Sequence, residues 1–488
     1  MKKIISTILL SSMLINAANV IAQNTEAKIA MGTKKAYTPL KDNGRYSFKA
    51  FNNIYYVFME TIRMERNFSV VVTDESNNVI SDGIVKINAG VWGNEFTIEK
   101  IIGINNKAYL LISNTTKKTG KHRLIAKALN ANLSIDENEI ELTSFDFKKA
   151  MNSGNWIISI SPDQKHLLVI GETPYEEKEI PSKLVYNYFD ANLKSEKTGE
   201  FILPGENKKY NMYTAFVANN ANLFMVRKDM TRNGSQMPTI FVTNVLQNTA
   251  PTSFMPQVGE GKNIFSYTQG VLANNSFSFA GYYDERKKIS SGDPLVKGCF
   301  YYNSASCTEL KLSPLNTPTE NLTALNLVEN ENTIFMVGEN YKSKSEPVTG
   351  QLGVYNYFYS HKEINAIGFE NDGNKKVDLV MGRNYENVGS DIDLTPVAAV
   401  VKNKLAVLFI DNLSKYNPDY RNNNYKVPVL FFIHGNGLME PALHFEKDFS
   451  TNNYTFYGPV FTSSPYITNN KIQMLMMESD KVKGFSVE

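Results

Sequence analysis

The hydrophobic and polar residues of this chain repeat one arrangement, in which a polar, usually Asn-rich turn separates two apolar stretches. The stretch after the turn is almost wholly apolar. This pattern predicts β-hairpins, because Asn tolerates positive φ and hydrogen-bonds its own backbone in tight turns. Eight such turns occur about 53 to 73 residues apart, at Asn52-Asn53, Asn105–Lys107, Ser161–Lys165, Asn219–Asn222, Asn274-Asn275, Glu329–Asn332, Lys402–Lys404 and Asn469-Asn470.

The second stretch of each hairpin distinguishes between β architectures. A strand in a two-sheet sandwich has one wet face, so its apolar and polar residues alternate. Here Ile54–Met59, Leu223–Val226, Ile334–Val337 and Leu405–Ile410 are apolar on both faces. Sheets stacked around a ring produce that pattern, because each inner strand is covered by the blade before it and the blade after it. The chain is therefore predicted to be all-β, a β-propeller of eight four-stranded blades, with seven blades as the alternative.

The predicted organisation has three parts: residues 1–22 as a signal peptide, 23–45 as an N-terminal segment, and 46–488 as the propeller. Blade eight reaches the chain end after only three strands. An uncovered strand edge invites aggregation, so a strand from elsewhere is expected to cover it. The stretch Ala36–Leu40 is the spare strand near the N-terminus, and we expect it to pair with Val482–Val487.

A repeated phrase sets the predicted register of the third strands. Val185–Phe189 reads VYNYF, and the same five letters recur at Val354–Phe358. Both are predicted to be third strands, in blades three and six. The turn after the third strand also repeats, since Asn130–Leu133 in blade two resembles Asp190–Leu193 in blade three.

The N-terminus has the features of a secretory signal peptide. Lys2 and Lys3 precede the largely apolar stretch Ile4–Ile15, and a cleavage site ends at Ala22. We therefore expect an exported protein, periplasmic or extracellular, with no transmembrane segment in the mature chain. The signal contains two of the 51 basic residues and none of the acidic ones, which leaves 49 basic against 49 acidic residues. This balance disfavours nucleic acid and an anionic membrane surface as partners.

Two cysteines, Cys299 and Cys307, flank a predicted hairpin with the sequence GCFYYNSASC. In an oxidising compartment a disulfide across this turn is the expected state. Two free buried thiols are the alternative, since two cysteines without further ligands make a poor metal site.

Motifs of catalysis are scarce. The stretch VLFFIHGNG, Val429–Gly437, has the strand and His-Gly segment of α/β-hydrolases, but no G-x-S-x-G follows it. We predict instead a third propeller strand that ends in a turn. The five histidines are not spaced as metal ligands on one helix, and no phosphate- or dinucleotide-binding glycine motif occurs. The sequence therefore predicts no cofactor and no metal site.

Acidic residues end most of the second strands, and tyrosines follow in the adjoining loops. In a propeller these strand ends point to the same face, and rigid strands carrying variable loops suit ligand binding. The acids are Glu60, Glu172, Asp284, Glu339, Asp411 and Glu478, and the adjoining residues are Tyr175, Tyr283, Tyr341, Tyr416, Tyr420, Arg286, Lys342 and Lys415. The predicted binding residues are Tyr175, Tyr283, Tyr341, Tyr416, Tyr420, Glu172, Glu339 and Asp411.

These residues predict a binding or scaffold module for a protein or a glycan. The loop from Asn412 to Lys426 is longer than a propeller turn requires, so it is expected to belong to the contact surface, with Tyr416 and Tyr420 dispensable for the blade core. One alternative is a carbohydrate-active hydrolase or lyase that uses facing carboxylates. Another is a structural component of the envelope.

Two short stretches resemble known families. Ser161-Pro162-Asp163, followed by Leu167-Leu168, resembles the strand–turn phrase of TolB-type and WD40-like propellers. The cleavage site before Gln23 resembles the signals of Bacteroidota envelope proteins. The chain lacks the Trp-Asp dipeptide, the Gly-Gly pair of kelch blades and the Ser-x-Asp box of sialidases. The resemblance therefore implies the propeller architecture and no family function.

Overall fold

The described strands form eight antiparallel sheets, and the fold is an eight-bladed β-propeller. The computed structural model of the chain describes residues 29–33, 35–36, 44–62, 65–88, 90–91, 94–148, 153–175, 183–203, 212–230, 236–285, 295–330, 332–347, 355–388, 395–416, 426–444, 460–461, 466–468, 471–478 and 481–488. The predicted signal peptide, residues 1–22, lies outside this range. Within the described residues the only helix is a single 3-10 turn, Leu413–Lys415, and none could span a membrane. The all-β prediction is confirmed.

Each blade is a meander in which strands that follow one another in the chain pair antiparallel. The strands of blade one are Gly44–Ala50, Asn53–Ile62, Glu65–Thr73 and Val79–Val85, and those of blade two are Asn94–Ile104, Lys107–Thr116, Lys121–Leu129 and Ile135–Asp146. The strands of blade three are Asn155–Ile160, Leu167–Glu172, Lys183–Phe189 and Ser195–Ile202, and those of blade four are Met212–Val217, Asn222–Met230, Gln236–Asn244 and Thr252–Phe254. The strands of blade five are Asn263–Val271, Phe277–Asp284, Leu295–Asn303 and Lys311–Glu320, and those of blade six are Leu322–Asn330, Thr333–Pro347, Tyr355–Phe369 and Lys375–Val388. The strands of blade seven are Val397–Val401, Lys404–Asn412, Lys426–Ile433 and Leu443–His444. A short strand, Gly90–Val91, precedes blade two.

Blade eight is completed by the N-terminal segment. Its own strands are Val460–Phe461, Tyr466–Thr468, Lys471–Glu478 and Lys481–Val487, of which the first two both pair with Lys471–Glu478. Ile29–Met31 pairs with Phe485–Val487, and Lys35–Ala36 pairs with Lys481-Val482. Closure by an N-terminal strand is therefore confirmed.

The position predicted for the closing strand is wrong by several residues. The strand begins at Ile29 rather than Ala36, and residues 37–40 of the predicted stretch lie outside the described residues. An outermost strand is held mainly by backbone hydrogen bonds to one neighbour and does not require two apolar faces. The apolar content of the sequence therefore locates such a strand poorly. The Gly32 N–H, for example, donates to the Gly484 carbonyl at 3.0 Å.

A buried asparagine joins blade one to blade eight at this closure. Asn77 lies in the turn between the last two strands of blade one with φ of 67° and is 1% exposed. Its Nδ2 donates to Ser486 Oγ at 3.0 Å, and Gln473 Nε2 donates to its Oδ1 at 3.1 Å. Asn77 Nδ2 also donates to the Ala30 carbonyl at 3.4 Å, so the closing strand Ile29–Met31 and the last strand of blade eight are both held against blade one.

The hydrophobic core is distributed between the blades. The described residues form eight buried clusters, and each cluster combines side chains of two neighbouring blades. In the second strand of blade three, Leu168 and Ile170 pack against blade four, while Leu167 and Val169 pack against blade two. Burial of both faces explains why the second strands contain uninterrupted apolar residues, as the sequence pattern predicted.

The hairpin turns link neighbouring blades as well as neighbouring strands. Phe51-Asn52, Asn105-Asn106 and Lys402-Asn403 have positive φ at both central residues, the geometry of a type I′ hairpin turn. Hydrogen bonds then run from turn to turn between consecutive blades one to seven: Asn52 N to Asn106 Oδ1, Asn105 N to Gln164 O, Asp163 N to Asn219 Oδ1, Asn219 N to Asn275 Oδ1, Ala273 N to Glu329 Oε2, and Asn330 Nδ2 to Asn403 O. The Asn-rich turns therefore also hold the ring together.

Blade six is longer than its neighbours. Its second and third strands have 15 residues each and its fourth has 14, whereas the first strand pairs only as far as Asn340. Residues 341–347, 355–361 and 385–388 therefore continue past the blade as a three-stranded extension, which we call the arm. The register predicted from VYNYF is wrong here. Tyr355–Phe358 lies in the arm, and the part of the strand inside the blade is Glu363–Phe369.

The predicted disulfide is wrong in this structure, where Cys299 and Cys307 are both buried free thiols. Cys299 lies on the third strand of blade five, four residues before Asn303, a separation of about 13 Å in an extended strand. The Cys307 N–H donates to the Asn303 carbonyl, which places Cys307 in the turn at the far end. A disulfide requires Cα atoms within about 7 Å. Burial raises the pKa of the Cys299 thiol to about 12, so this thiol stays protonated.

Candidate functional site

The candidate site lies on the side of the ring where the second strands end. Because neighbouring strands are antiparallel, the start of the first strand, the end of the second and the start of the third meet at one edge of each blade. We call the side that these edges share the loop face. Glu172, Asp284, Glu339 and Asp411 all lie there, as predicted. The side chains of Glu60 and Glu478, and the residues Arg286 and Tyr420, lie outside the described part of the chain.

In blades three and five the terminal acid is held by an asparagine of the first strand. Asn155 Nδ2 donates to Glu172 Oε2 at 3.2 Å, and Asn263 Nδ2 donates to Asp284 Oδ1 at 3.1 Å. Asp284 is fully buried. Burial raises the pKa of Glu172, and the hydrogen bond from Asn155 offsets this only in part. These acids belong to the blades' own hydrogen bonding rather than to an open carboxylate face.

In blade six the terminal acid is the centre of a buried ionic cluster. Glu339 Oε1 accepts hydrogen bonds from His361 Nδ1, at 2.9 Å, and from Arg383 Nη1. These three side chains, from the second, third and fourth strands, are each 3% exposed or less. Arg383 Nε also donates to the Ile410 carbonyl of blade seven at 3.0 Å. Burial lowers the pKa of Arg383, while the charges of Glu339 and Asp411 act to raise it.

In blade seven the terminal acid binds the residues that follow it. Asp411 is fully buried and accepts hydrogen bonds from Tyr416 Oη at 2.8 Å and from Lys415 Nζ at 3.3 Å. The 3-10 turn Leu413–Lys415 brings these two side chains back over the strand end. Burial and then the Asp411 charge raise the pKa of Tyr416, so its hydroxyl stays a donor.

Two of the predicted contact tyrosines are therefore structural. Tyr416 packs against the core between blades six and seven and also bonds Asp411, whereas the sequence predicted its side chain to be dispensable for the blade core. Tyr283 is 6% exposed, and its ring covers Gly298 on the opposite strand, leaving no room for a Cβ there. Tyr175 is partly buried just past the second strand of blade three. Of the described tyrosines predicted to bind, Tyr341 is the one that leads onto the arm.

The arm leaves blade six at two pairing irregularities that coincide with the ionic cluster. The pairing shifts between Glu339 and Tyr341 on the second strand, and between His361 and Glu363 on the third. Beta-bulges of this kind change the direction of a strand and reorient side chains. Here they allow Glu339, His361 and Arg383 to converge, and the cluster in turn fixes the base of the arm.

One face of the arm is a row of tyrosines. Residues directly opposite one another in an antiparallel sheet share a face, and here Tyr341, His361 and Tyr385 form one such set. Their rings confirm this, since the Tyr341 and His361 centroids are 5.0 Å apart and those of His361 and Tyr385 are 6.1 Å apart. Alternate residues continue the same face outward as Tyr359, Tyr357 and Tyr355. We call Tyr341, Tyr355, Tyr357, Tyr359 and Tyr385 the tyrosine platform.

The outer end of the platform is open to solvent. Tyr355 is 49% exposed and Tyr357 is 47% exposed, and they are the only aromatic residues among the large hydrophobic side chains that are exposed in the described part of the chain. The neighbouring positions on this face are Ser343, Ser345 and Pro347, opposite Tyr359, Tyr357 and Tyr355 in that order. The platform thus combines aromatic rings with hydroxyl groups and no formal charge.

The opposite face of the arm is charged. It contains Lys342, Lys344, Glu346 and Glu386, with Lys344 and Glu346 forming an exposed ion pair of 3.0 Å. Lys344 Nζ also lies 4.9 Å from the centre of the Phe358 ring. The two faces of one small sheet therefore differ in chemistry, which structural packing alone does not require.

Sequence reasoning missed Tyr355, Tyr357 and Tyr359, together with His361 and Arg383. The five-letter match placed VYNYF inside the blade. A better guide was the turn after the third strand, in which the Leu133, Leu193 and Gly373 N–H groups donate to the carbonyls of Asn130, Asp190 and Glu370. In blade three this turn follows Phe189 at once, but in blade six it begins at Glu370, twelve residues after Phe358.

Comparisons with known proteins show what the fold is similar to. No protein-family model matches the chain, and the search of curated proteins gave no match. Among solved structures, Penicillium chrysogenum α-L-arabinanase with arabinobiose has 9% identity and a TM-score of 0.35, covering 63% of this chain and 93% of its own. A mutant of Synechocystis apocarotenoid oxygenase has 10% identity and a TM-score of 0.37, covering 86% and 94%. A Bacillus licheniformis endo-arabinanase has 11% identity and a TM-score of 0.27, covering 57% and 97%. At these values the similarity carries no statement about activity.

Proposed function

We propose that the protein is a binding module that receives its partner on the tyrosine platform. The observation that carries this proposal is the exposure of Tyr355 and Tyr357 on a structured sheet, at 49% and 47%. Tyrosine contributes a large contact area at low entropic cost, since only two side-chain torsions must be fixed on binding. Aromatic side chains are also enriched among the residues that dominate binding energy.

The arm exceeds what the propeller needs. Blade six has its four paired strands without it, because the first strand pairs with the second only up to Asn340. Propeller connections need a few residues, and much longer ones are usually either functional or disordered. Rigid sheet residues also position a contact surface more accurately than a loop does. An extension that is ordered by its own pairing and ends in exposed aromatic rings fits this role.

The contacts of the terminal acids support binding rather than catalysis. Glu172, Asp284, Glu339 and Asp411 each accept a hydrogen bond from a neighbouring side chain of the chain itself. A glycosidase needs two carboxylates that face the substrate, one of them free to give up a proton. Glu339 is instead neutralised by Arg383. We therefore assign Glu339, which contacts His361 and Arg383 at the base of the arm, a positioning role under the platform.

The predicted signal peptide places the partner outside the cytoplasm in this proposal. The mature chain would meet a protein or a glycan in the periplasm or outside the cell. Binding through an arm that projects from the loop face leaves the rest of the ring as a scaffold.

The test compares three forms of the mature chain, residues 23–488. The first is unaltered, and the second lacks the outer arm, with residues 342–360 replaced by Asn-Gly. That turn joins Tyr341 to His361, which already face each other across the hairpin, and it keeps the ionic cluster. The third is the matched control K344A/E346A, which removes the exposed ion pair of the opposite face without changing net charge.

Each form is immobilised and incubated with a polysaccharide array and with the envelope-protein fraction of the source cells. We expect at least one ligand that binds the unaltered chain and the control but is lost from the armless form. Retention of every ligand by a folded armless form would overturn the proposal, and so would the absence of any bound ligand.

A further inference from the structure

The division of the arm into an uncharged aromatic face and a charged face identifies the chemical class of its ligand. We infer that the tyrosine platform binds an uncharged glycan, an inference that rests on the binding function proposed above. The apolar face of a sugar ring carries C–H groups that are attracted to the electron-rich face of an aromatic ring. Its hydroxyl groups need hydrogen-bond partners beside that ring.

The platform meets both requirements. Tyr355, Tyr357 and Tyr359 occupy alternate positions of one strand, so their Cα atoms repeat at about 7 Å along a nearly straight line. A linear row of rings suits a linear chain of sugars, whose successive rings can each contact a different side chain. Ser343 and Ser345 lie opposite Tyr359 and Tyr357, and their hydroxyl groups both donate and accept hydrogen bonds.

The charges argue against an anionic glycan. Carboxylate and sulfate groups are recognised by Arg and Lys through charge-assisted hydrogen bonds. Lys344 lies over Phe358 on the opposite face, and Arg383 is buried at the base, where it already binds Glu339. The platform itself contains neither residue. Its chemistry therefore matches hydroxyl groups rather than negative charges.

The edge of the arm formed by its second strand argues against a protein partner that adds a strand there. Beyond Asn340 the second strand of blade six is an edge strand, since the first strand has ended. Lys342, Lys344 and Pro347 occupy that edge. Lysine side chains and proline are the features by which proteins prevent strand addition at a free edge. The face remains accessible while the edge is protected, which suits a ligand that stacks on the rings.

The experiment is native affinity electrophoresis of the mature chain at about pH 9.5, where partial deprotonation of lysines gives the chain a net negative charge, in gels that contain one soluble polysaccharide each. The uncharged probes are a β-glucan, a mannan and a xylan, and the anionic probes are alginate and polygalacturonate. The variants are Y355A/Y357A and the control K344A/E346A, both of which nearly preserve net charge and therefore the mobility in a plain gel.

We expect at least one uncharged polysaccharide to retard the unaltered chain. Y355A/Y357A should weaken this binding about tenfold or more, as loss of interface aromatic residues does, and the control should stay within about twofold. Binding should be nearly constant from roughly 0.05 to 0.5 M salt, because screening acts on charges. Thermal unfolding of the tyrosine variant should match the unaltered chain, since both side chains are exposed.

Three results would overturn the inference: no retardation by any uncharged polysaccharide, retardation by the anionic probes alone with loss at high salt, or unweakened binding by Y355A/Y357A. A protein ligand that needs Tyr355 and Tyr357, with no polysaccharide bound, would refute the glycan and leave the proposed binding function intact. Ligands that all bind the armless form would refute both.

Discussion

Blades three and six share a five-letter sequence whose tyrosines lie in opposite environments in the two blades. In blade three, VYNYF is the third strand, and Tyr186 and Tyr188 are 2% and 1% exposed. In blade six the last four of these letters, Tyr355–Phe358, lie in the arm, where Tyr355 and Tyr357 are 49% and 47% exposed. The difference is what covers the strand. Blade four closes over Tyr186 and Tyr188, whereas the arm projects beyond its neighbours and keeps the rings in solvent.

The polar groups of the two copies differ in the same way. In blade three the Tyr186 hydroxyl lies 3.0 Å from the Val245 carbonyl, and its ring stacks on Phe201 at 4.4 Å. Asn187 Nδ2 donates to the Leu142 carbonyl of blade two at 2.7 Å. In the arm, Asn356 is exposed. One sequence therefore supplies a core in one blade and a surface in another, and the substitutions below test that contrast.

The largest expected difference in the free energy of unfolding comes from truncating the tyrosines at matching positions of the two copies. Tyr186→Ala and Tyr188→Ala should each lower the free energy of unfolding by about 3–5 kcal/mol, because each leaves a cavity between blades three and four. Tyr355→Ala and Tyr357→Ala should each change it by about 0.5 kcal/mol or less. Urea denaturation followed by fluorescence measures all four. Similar losses in the two pairs would show that the arm packs against the ring.

The junction between blade six and the arm is the next most sensitive place. Arg383→Leu should cost about 3–5 kcal/mol, because it leaves the Glu339 carboxylate buried without its cation. The double variant Glu339→Gln/Arg383→Met removes both charges and should recover most of this loss. Thermal unfolding of the single and double variants provides the measurement. A double variant as unstable as the single one would mean that packing, rather than charge pairing, dominates at this junction.

The asparagines of the two copies should show a smaller contrast. Asn187→Ala breaks the bond to Leu142 and also leaves Ser195 Oγ without the acceptor that it contacts at 2.6 Å. Leaving buried polar groups unpaired costs about 1–3 kcal/mol. Asn356→Ala should be nearly neutral. Equal effects in urea denaturation would contradict the difference in burial between these positions.

The architecture could be predicted from the sequence because its determinants are local and repeated. An Asn turn followed by an apolar stretch such as Leu405–Ile410 specifies a hairpin with two covered faces wherever it occurs. The position of the closing strand was harder to predict from the sequence. Ile29–Met31 pairs through its backbone, and its residues have no distinctive apolar–polar pattern. The register of blade six was predicted wrongly because it was based on the five-letter match. The position of the turn that begins at Glu370 would have placed the third strand correctly.

The ionic cluster could not be predicted in the same way. His361 and Arg383 follow Glu339 by 22 and 44 residues, and only the bulges at the base of the arm bring them together. The sequence predicts these acids on a binding face. Their burial depends on side chains opposite them, such as Asn155 and Arg383, and these are neighbours in the sheet rather than in the sequence.

The terminal acids of blades three and six provide the smallest predicted effect, which depends on pH. Glu172 is held by the neutral Asn155, and burial raises its pKa, whereas Glu339 has a buried cation beside it. A carboxyl group with a raised folded-state pKa binds protons more tightly in the folded than in the unfolded protein. It therefore favours folding as the pH falls towards the ordinary pKa of a glutamate, and it opposes folding as the pH rises through the raised pKa.

Glu172→Gln keeps an acceptor for Asn155 but does not titrate. The variant should melt on the order of 1–2 °C above the unaltered chain at pH 8, and the two melting curves should converge near pH 4.5. Glu339→Gln alone should lower the melting temperature at pH 8, because Arg383 loses its charge partner. A lower melting temperature for Glu172→Gln at pH 8 would contradict this prediction. It would show that a cation stabilises the Glu172 carboxylate, as Arg383 stabilises that of Glu339.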